Sequence, residues 1–231
     1  MNWYTYCYNN PVMLVDPFGL EGSTIPGWLD WNQDGIVDTP EDQKLFDSNG
    51  NAVADWREIG SSTPPVTLHA FPYVYQGSYE LCWAADVSMG VEWFTKESID
   101  YIQIAKDHFK GDKDYNKGST PKGMIDVIQK KGYLDGTNYE VNPNVANSND
   151  INNKEKRKLT FGLIKDQIDN GMPLFMTQPD DHIVVVVGYM EDAETDKQWI
   201  VYFDSSESKE YFYVEYSKVK NERAITFQKK E

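Results

Sequence analysis

Cysteine, histidine and positive charge are all scarce in this chain, and each shortage excludes something. Two cysteines, Cys7 and Cys82, occur in 231 residues, too few for a disulfide framework. No run of apolar residues is long enough to span a bilayer as a helix. The first residues, Met1-Asn2-Trp3-Tyr4, lack the basic region and apolar core of a secretory signal. Lys and Arg number 22 against 37 Asp and Glu, a formal net charge of −15. Such an excess of negative charge argues against a nucleic-acid-binding surface. Three histidines, His69, His108 and His182, leave few candidates for a general base.

The remainder is well supplied. Hydrophobic residues make up 40% and aromatics 14%, enough for one medium domain with a core and a small appendage. The chemistry concentrates in Gln76-Gly-Ser-Tyr-Glu-Leu-Cys82-Trp-Ala-Ala85. From Leu81 to Phe94 the residues Ala84, Val87, Val91 and Phe94 recur at helical spacing, so a helix with one buried face is expected. Cys82 then lies in its first turn, where unpaired N–H groups and the positive end of the dipole favour a thiolate. Gln76 can bring its side-chain amide to the same place. With the Cys82 backbone N–H it would form an oxyanion hole. The competing reading is a core cysteine on an amphipathic helix.

Gln-x5-Cys-Trp-Ala-Ala resembles the papain-like cysteine peptidases, most of all the compact bacterial forms. The Cys-Gly-Ser-Cys-Trp signature is reduced here to Glu80-Leu81-Cys82-Trp83. The resemblance extends to the second half of the chain, where Gly171-Met-Pro173, an apolar stretch, His182 before a β-branched run, and Gly188-Tyr189 are similar to the histidine half of that family. His182 to Tyr189 reads as a buried strand by its unbroken apolar run, and Trp199 to Phe203 as its return across a polar turn. Antiparallel pairing would set Asp204 beside His182. Cys82, His182, Asp204 is then the papain order. His182 would take the thiol proton and later protonate the leaving amine. Asp204 would accept from the other ring nitrogen, taken as Nδ1, and fix the tautomer. Asp stands where papain has Asn, an arrangement that transglutaminase-like enzymes also use. His108, among Lys106, Asp107 and Lys110, reads as part of a solvated helix face. His69 stays open as a rival base.

Other segments frame this domain. Tyr6-x-Tyr-x-x-Pro-Val and Asp16-Pro-x-Gly-Leu20 resemble the end of the rearrangement-hotspot (Rhs) core of bacterial polymorphic toxins. That resemblance implies an upstream shell, self-cleavage after Leu20 involving Asp16, and a toxin domain downstream, with an immunity protein as partner. Residues 30–41 fit the calcium-loop pattern D-x-[DN]-x-[DN]-G-x5-E. Asp30, Asn32, Asp34, the Ile36 carbonyl, Asp38 and Glu41 would supply the oxygens, and Gly35 the sharp turn. A second run sets Asp47, Asn49, Asn51, Val53, Asp55 and Glu58 at the same positions, with Ala52 in place of the glycine. The competing reading of both is a pair of solvated Asx turns.

Gly60-Ser-Ser-Thr-Pro-Pro65 reads as a linker. The expected organisation is therefore 1–20 as the end of an Rhs core, 21–60 as dockerin- or EF-hand-like calcium loops, and 61–231 as an α+β papain-like domain. Val66 to Tyr75 reads as a strand. Ser98 to Phe109, Thr120 to Lys131 and Glu155 to Asn170 read as helices, and 137–154 as a surface loop. The functional expectation is a secreted bacterial toxin or effector domain, delivered by a specialised system, that cleaves a protein of the target cell. Nucleic acid and membrane are not expected partners. Two alternatives stay open: acyl transfer as a transglutaminase or deamidase, and a calcium-stabilised binding module without catalysis.

Overall fold

In a computed structural model, residues 45–46, 48, 54–77, 80–111, 113–142, 159–178, 182–219 and 223–231 are described. The chain separates into two compact units, residues 1–66 with 190–197, and residues 67–189 with 198–231.

The first unit includes a short helix, α1 (Asp55–Glu58), with Trp56 buried. Ser48 donates its N–H to both carboxylate oxygens of Asp55, at 3.2 and 3.1 Å. Asp192, buried, accepts from the Ser62 N–H at 2.7 Å and from the N–H groups of Glu194 and Thr195.

The second unit is built around α2 (Cys82–Thr95). The periodicity predicts one buried face, but every residue from Trp83 to Val91 is buried. The difference follows from composition. Ala84, Ala85, Ser88 and Gly90 fill the sides that would otherwise carry polar chains, so neighbours close in all round. A Cβ on Gly90 would come within 2.7 Å of the Phe175 ring. Glycine is thus what lets the helix lie flat on the sheet. Trp93 Nε1 donates to the Gly171 carbonyl at 2.8 Å and ties the far end of α2 to the turn before the sheet.

Three further helices follow. Asp100 caps α3 (Tyr101–His108) by accepting from Ile102 N–H, and Thr120 caps α4 (Pro121–Lys130) by accepting from Gly123 N–H. Of the helix expected over 155–170, residues 155–158 lie outside the described residues, and Leu159 and Thr160 are not part of α5. Thr160 accepts from Leu163 N–H and starts the helix at Phe161–Asp169. The stop at Gly171, with φ of 74°, is as expected.

The main sheet runs β6-β5-β4-β3-β7, where β3 is Leu174–Thr177, β4 Ile183–Glu191, β5 Gln198–Phe203, β6 Phe212–Glu215 and β7 Ala224–Ile225. Leu174 pairs with Val186 and Thr177 with Ile183, antiparallel. Only Val66–Thr67 of the expected 66–75 strand is strand, as β1; Leu68 continues with a hydrogen bond to the Val187 carbonyl. Beyond it Phe71 and Tyr73 turn their rings onto Phe203, with centroids 6.3 and 5.4 Å away. Packing rather than pairing therefore holds that segment. Tyr139–Val141, expected to be loop, is strand β2. It pairs with β8 (Phe227–Lys229) from the chain's end, a long-range partner that local pattern cannot reveal.

Candidate active site

Cys82 is the first residue of α2. Its position exposes the thiol to helix N–H groups that have no intrahelical acceptor. Burial alone would push the thiol up. A hydrogen bond from His182, the N–H groups of Ile183 and Trp83, and the nearby imidazolium charge outweigh it and lower the thiol below its ordinary value. Cys82 is half-buried and unpaired.

His182 stands just before β4, and Asp204 just after β5. The hairpin brings them together as the sequence predicts. Nε2 of His182 lies 2.9 Å from Asp204 Oδ1 and 3.0 Å from Oδ2. The expectation that Nδ1 faces Asp204 is corrected. Nε2 takes that role, which leaves Nδ1 as the nitrogen for the thiol. The Asp204 hydrogen bond, then the Cys82 hydrogen bond, raise His182 to about 10 against the opposing effect of burial. Burial raises the Asp204 carboxyl, but bonds from His182 and from the Ser206 hydroxyl and N–H bring it below the ordinary range. Ser206 binds Oδ1 through its N–H at 2.9 Å and its hydroxyl at 2.6 Å. The side chains of His182 and Asp204 are 26% and 15% exposed, so substrate can reach the edge of the pair.

Gln76 is 8% exposed and is fastened to the same loop. Its N–H donates to the Ser205 carbonyl at 2.8 Å. The Ser205 hydroxyl donates to its side-chain Oε1 at 3.3 Å, and Tyr101 donates to its backbone carbonyl. With Oε1 engaged, the amide offers Nε2 as its donor end. Tyr73 completes the support beneath Asp204 by donating to the carbonyls of Asp204, at 3.2 Å, and of Glu207. Burial and the adjacent Asp204 charge push the Tyr73 phenol to about 12, so it remains a donor at any working pH.

The geometry therefore brings together Cys82, His182 and Asp204, with Gln76 fastened to Ser205 next to Asp204. A thiolate beside an imidazolium, with backbone N–H groups adjacent, can attack a carbonyl carbon and hold the resulting oxyanion. A statistical model of the Peptidase_C39 like family matches residues 68–229. The chain belongs to that family. The fold is accordingly α+β and papain-like, and the domain is of the cysteine-peptidase type. No curated protein matches the chain. Among solved structures it is similar to SERA5E from Plasmodium falciparum, at 12% identity with a TM-score of 0.44, over 76% of this chain and 95% of that one.

Within this member of the Peptidase_C39 like family, His182 is the histidine that hydrogen-bonds the thiol. His108 is not on a solvated face; its ring packs edge-on against Trp83 at 5.1 Å, and burial lowers its pKa. Trp83 is fixed in turn by a 3.0 Å bond from Nε1 to the Lys117 carbonyl.

The calcium-loop ligands Asp30, Asn32, Asp34, Ile36, Asp38, Glu41, Asp47, Asn49, Asn51 and Val53 lie outside the described residues, as do the Rhs-like segment 2–20 and Asp180–Asp181. Of the second loop, Asp55 and Glu58 are seen as residues of α1. Among the described residues no cluster of three His, Cys, Asp or Glu is placed to hold a metal.

Sequence reasoning missed Ser205, Ser206, Tyr73 and Asp86. For Asp86 a signal was present. It is the one charged residue between Leu81 and Val91, four positions after Cys82 on the same helix face.

Proposed function

We propose that this protein is a cysteine endopeptidase in which Cys82 is the nucleophile, His182 the general base and acid, and Asp204 the residue that orients the ring. The observation that supports it best is His182, which hydrogen-bonds both Cys82 and Asp204. The Cys82 thiolate adds to the scissile carbonyl, forming a C–S bond and an oxyanion. Gln76 Nε2 and the Cys82 N–H stabilise that oxyanion. It collapses with proton transfer from His182 to the leaving amine. Water, deprotonated by the now neutral His182, hydrolyses the thioester and restores the pair.

The biological setting we infer rests on residues 2–20. A segment similar to the end of an Rhs core, followed by a peptidase domain, fits a bacterial toxin or effector delivered into a target cell, with a target-cell protein as substrate and an immunity protein as antidote. A structural Ca2+ at residues 30–41 belongs to the same proposal.

The test is expression in a bacterial cytoplasm followed by N-terminal proteomics. New N-termini, absent from folded Cys82→Ala, are the expected result. Ammonia release or isopeptide cross-links without new N-termini would instead identify a deamidase or transglutaminase. Full toxicity in folded Cys82→Ala would overturn both.

A further inference from the structure

Asp86 is a carboxyl with no work in the mechanism above, and it is fully buried. It is 0% exposed, one helical turn behind Cys82. Neither carboxyl oxygen has a partner at full hydrogen-bond distance. The polar side chain that comes nearest to serving it is Ser205, itself 0% exposed. The charged and titratable groups that face Asp86 are Cys82, His182, Asp204 and, more weakly, Tyr73.

An ionised carboxylate there would be fully buried without a hydrogen-bond partner, beside a thiolate and a second carboxylate, with the His182 imidazolium, already held by Cys82 and Asp204, as the one opposing charge among these groups, a costly arrangement. A neutral carboxylic acid has one O–H to give. Ser205 can accept it only if its own proton points elsewhere, and that proton already points at Gln76 Oε1, 3.3 Å away. The hydroxyl can act as donor to Gln76 and acceptor from Asp86 together.

We infer that Asp86 is a positioning residue: as a neutral acid it donates to Ser205, whose hydroxyl donates to Gln76 Oε1 and so presents Gln76 Nε2 to the oxyanion. Burial, with Cys82 and Asp204 as like charges nearby, pushes the Asp86 carboxyl well above the usual range, consistent with a retained proton. If Asp86 lost it, the Ser205 hydroxyl would turn to the carboxylate and release the glutamine. The negative charge would also oppose the Cys82 thiolate.

The inference rests on the peptidase reading, and the experiment separates the two. Cys82 alkylation by iodoacetamide is followed against pH, and acylation by p-nitrophenyl acetate is followed as kcat and KM. The proteins are wild type, Asp86→Asn, Asp86→Ala, Ser205→Ala and the double alanine variant. Asn is neutral, isosteric and still a donor, so Asp86→Asn is expected within about threefold of wild type in both assays. Asp86→Ala and Ser205→Ala are each expected to lose about tenfold in kcat at unchanged KM, less than removal of an oxyanion donor outright. The double variant is expected to lose no more than either single one. The alkylation profile is expected to be the same in all five. A profile displaced to lower pH in Asp86→Asn would reveal an ionised Asp86 and overturn the inference, as would multiplicative losses in the double variant. Ser205→Ala keeps the test decisive if Asp86→Ala fails to fold. A wild-type thiol no more reactive than a free cysteine would overturn the peptidase reading itself, and this inference with it.

Discussion

His182 owes its raised pKa first to Asp204, and that dependence sets the behaviour of the pair with pH. Replacing His182 by Ala removes the proton carrier. Replacing Asp204 by Asn keeps an acceptor for Nε2–H but removes the charge, so Asp204→Asn is expected to be the milder change, with both variants folded. The alkaline limb of kcat/KM follows loss of the imidazolium. In wild type it is expected to fall as pH approaches about 10, and in Asp204→Asn at lower pH. An Asp204→Asn variant as inactive as His182→Ala would remove the orienting role from Asp204. The same shift acts on stability. A His whose folded pKa is raised stabilises the fold fully below its unfolded value, about 6.5, and progressively less up to about 10. Asp204, depressed when folded, contributes above its ordinary value and loses that contribution in acid. The urea midpoints of wild type and Asp204→Asn are thus expected to differ most near pH 5–6 and to converge toward pH 10. A gap that stays constant with pH would show that charge is not its source.

At the scale of elements, the contact between α2 and β3 turns on Gly90. Alanine there gains about 1 kcal/mol of helix propensity but drives a methyl into the Phe175 ring, which is itself packed on Phe227 at a centroid distance of 5.5 Å. Overpacking of this kind costs about 1–3 kcal/mol. Gly90→Ala is therefore expected to lower stability by about 1 kcal/mol in urea denaturation; a stabilised variant would show that the ring moves aside freely. The elements themselves were legible to differing degrees. Thr120 announced the start of α4 and Gly171 the end of α5, because each acts within a turn of its own position; Asp100 and Thr160, which cap α3 and α5, stood inside longer expected helices. The His182–Asp204 meeting was legible because a hairpin converts sequence spacing into register. The strand pairing of Tyr139–Val141 with Phe227–Lys229 was not, since it joins residues nearly ninety positions apart. Segment 68–75 misled because its apolar residues satisfy ring packing, and alternation alone does not distinguish that from a sheet.

For the whole molecule, the calcium site we propose at 30–41 makes a prediction independent of catalysis. Ca2+ is expected to raise the melting temperature, and Asp34→Ala to remove most of that gain, because a ligand bound only by the folded state stabilises it by mass action. An unchanged melting point across calcium and chelator would reduce the loop to a turn. What the sequence concealed at this scale was the support of the site. Cys82, His182, Asp204 and Gln76 carry chemical types that stand out in a one-dimensional reading. Ser205, Ser206 and Tyr73 act through backbone carbonyls and second partners, and their types are common on any surface.

The full burial of α2 from Trp83 to Val91 has a consequence for how the enzyme would fail. A helix enclosed on every side has no low-energy way to open by itself, so its amides are expected to exchange hydrogen only through global unfolding. The proposed nucleophile, Cys82, opens that helix. Partial melting would then scatter the loops that carry Gln76 and Asp204 first, leaving a thiol still held in place but stripped of its partners, intact to view and chemically silent.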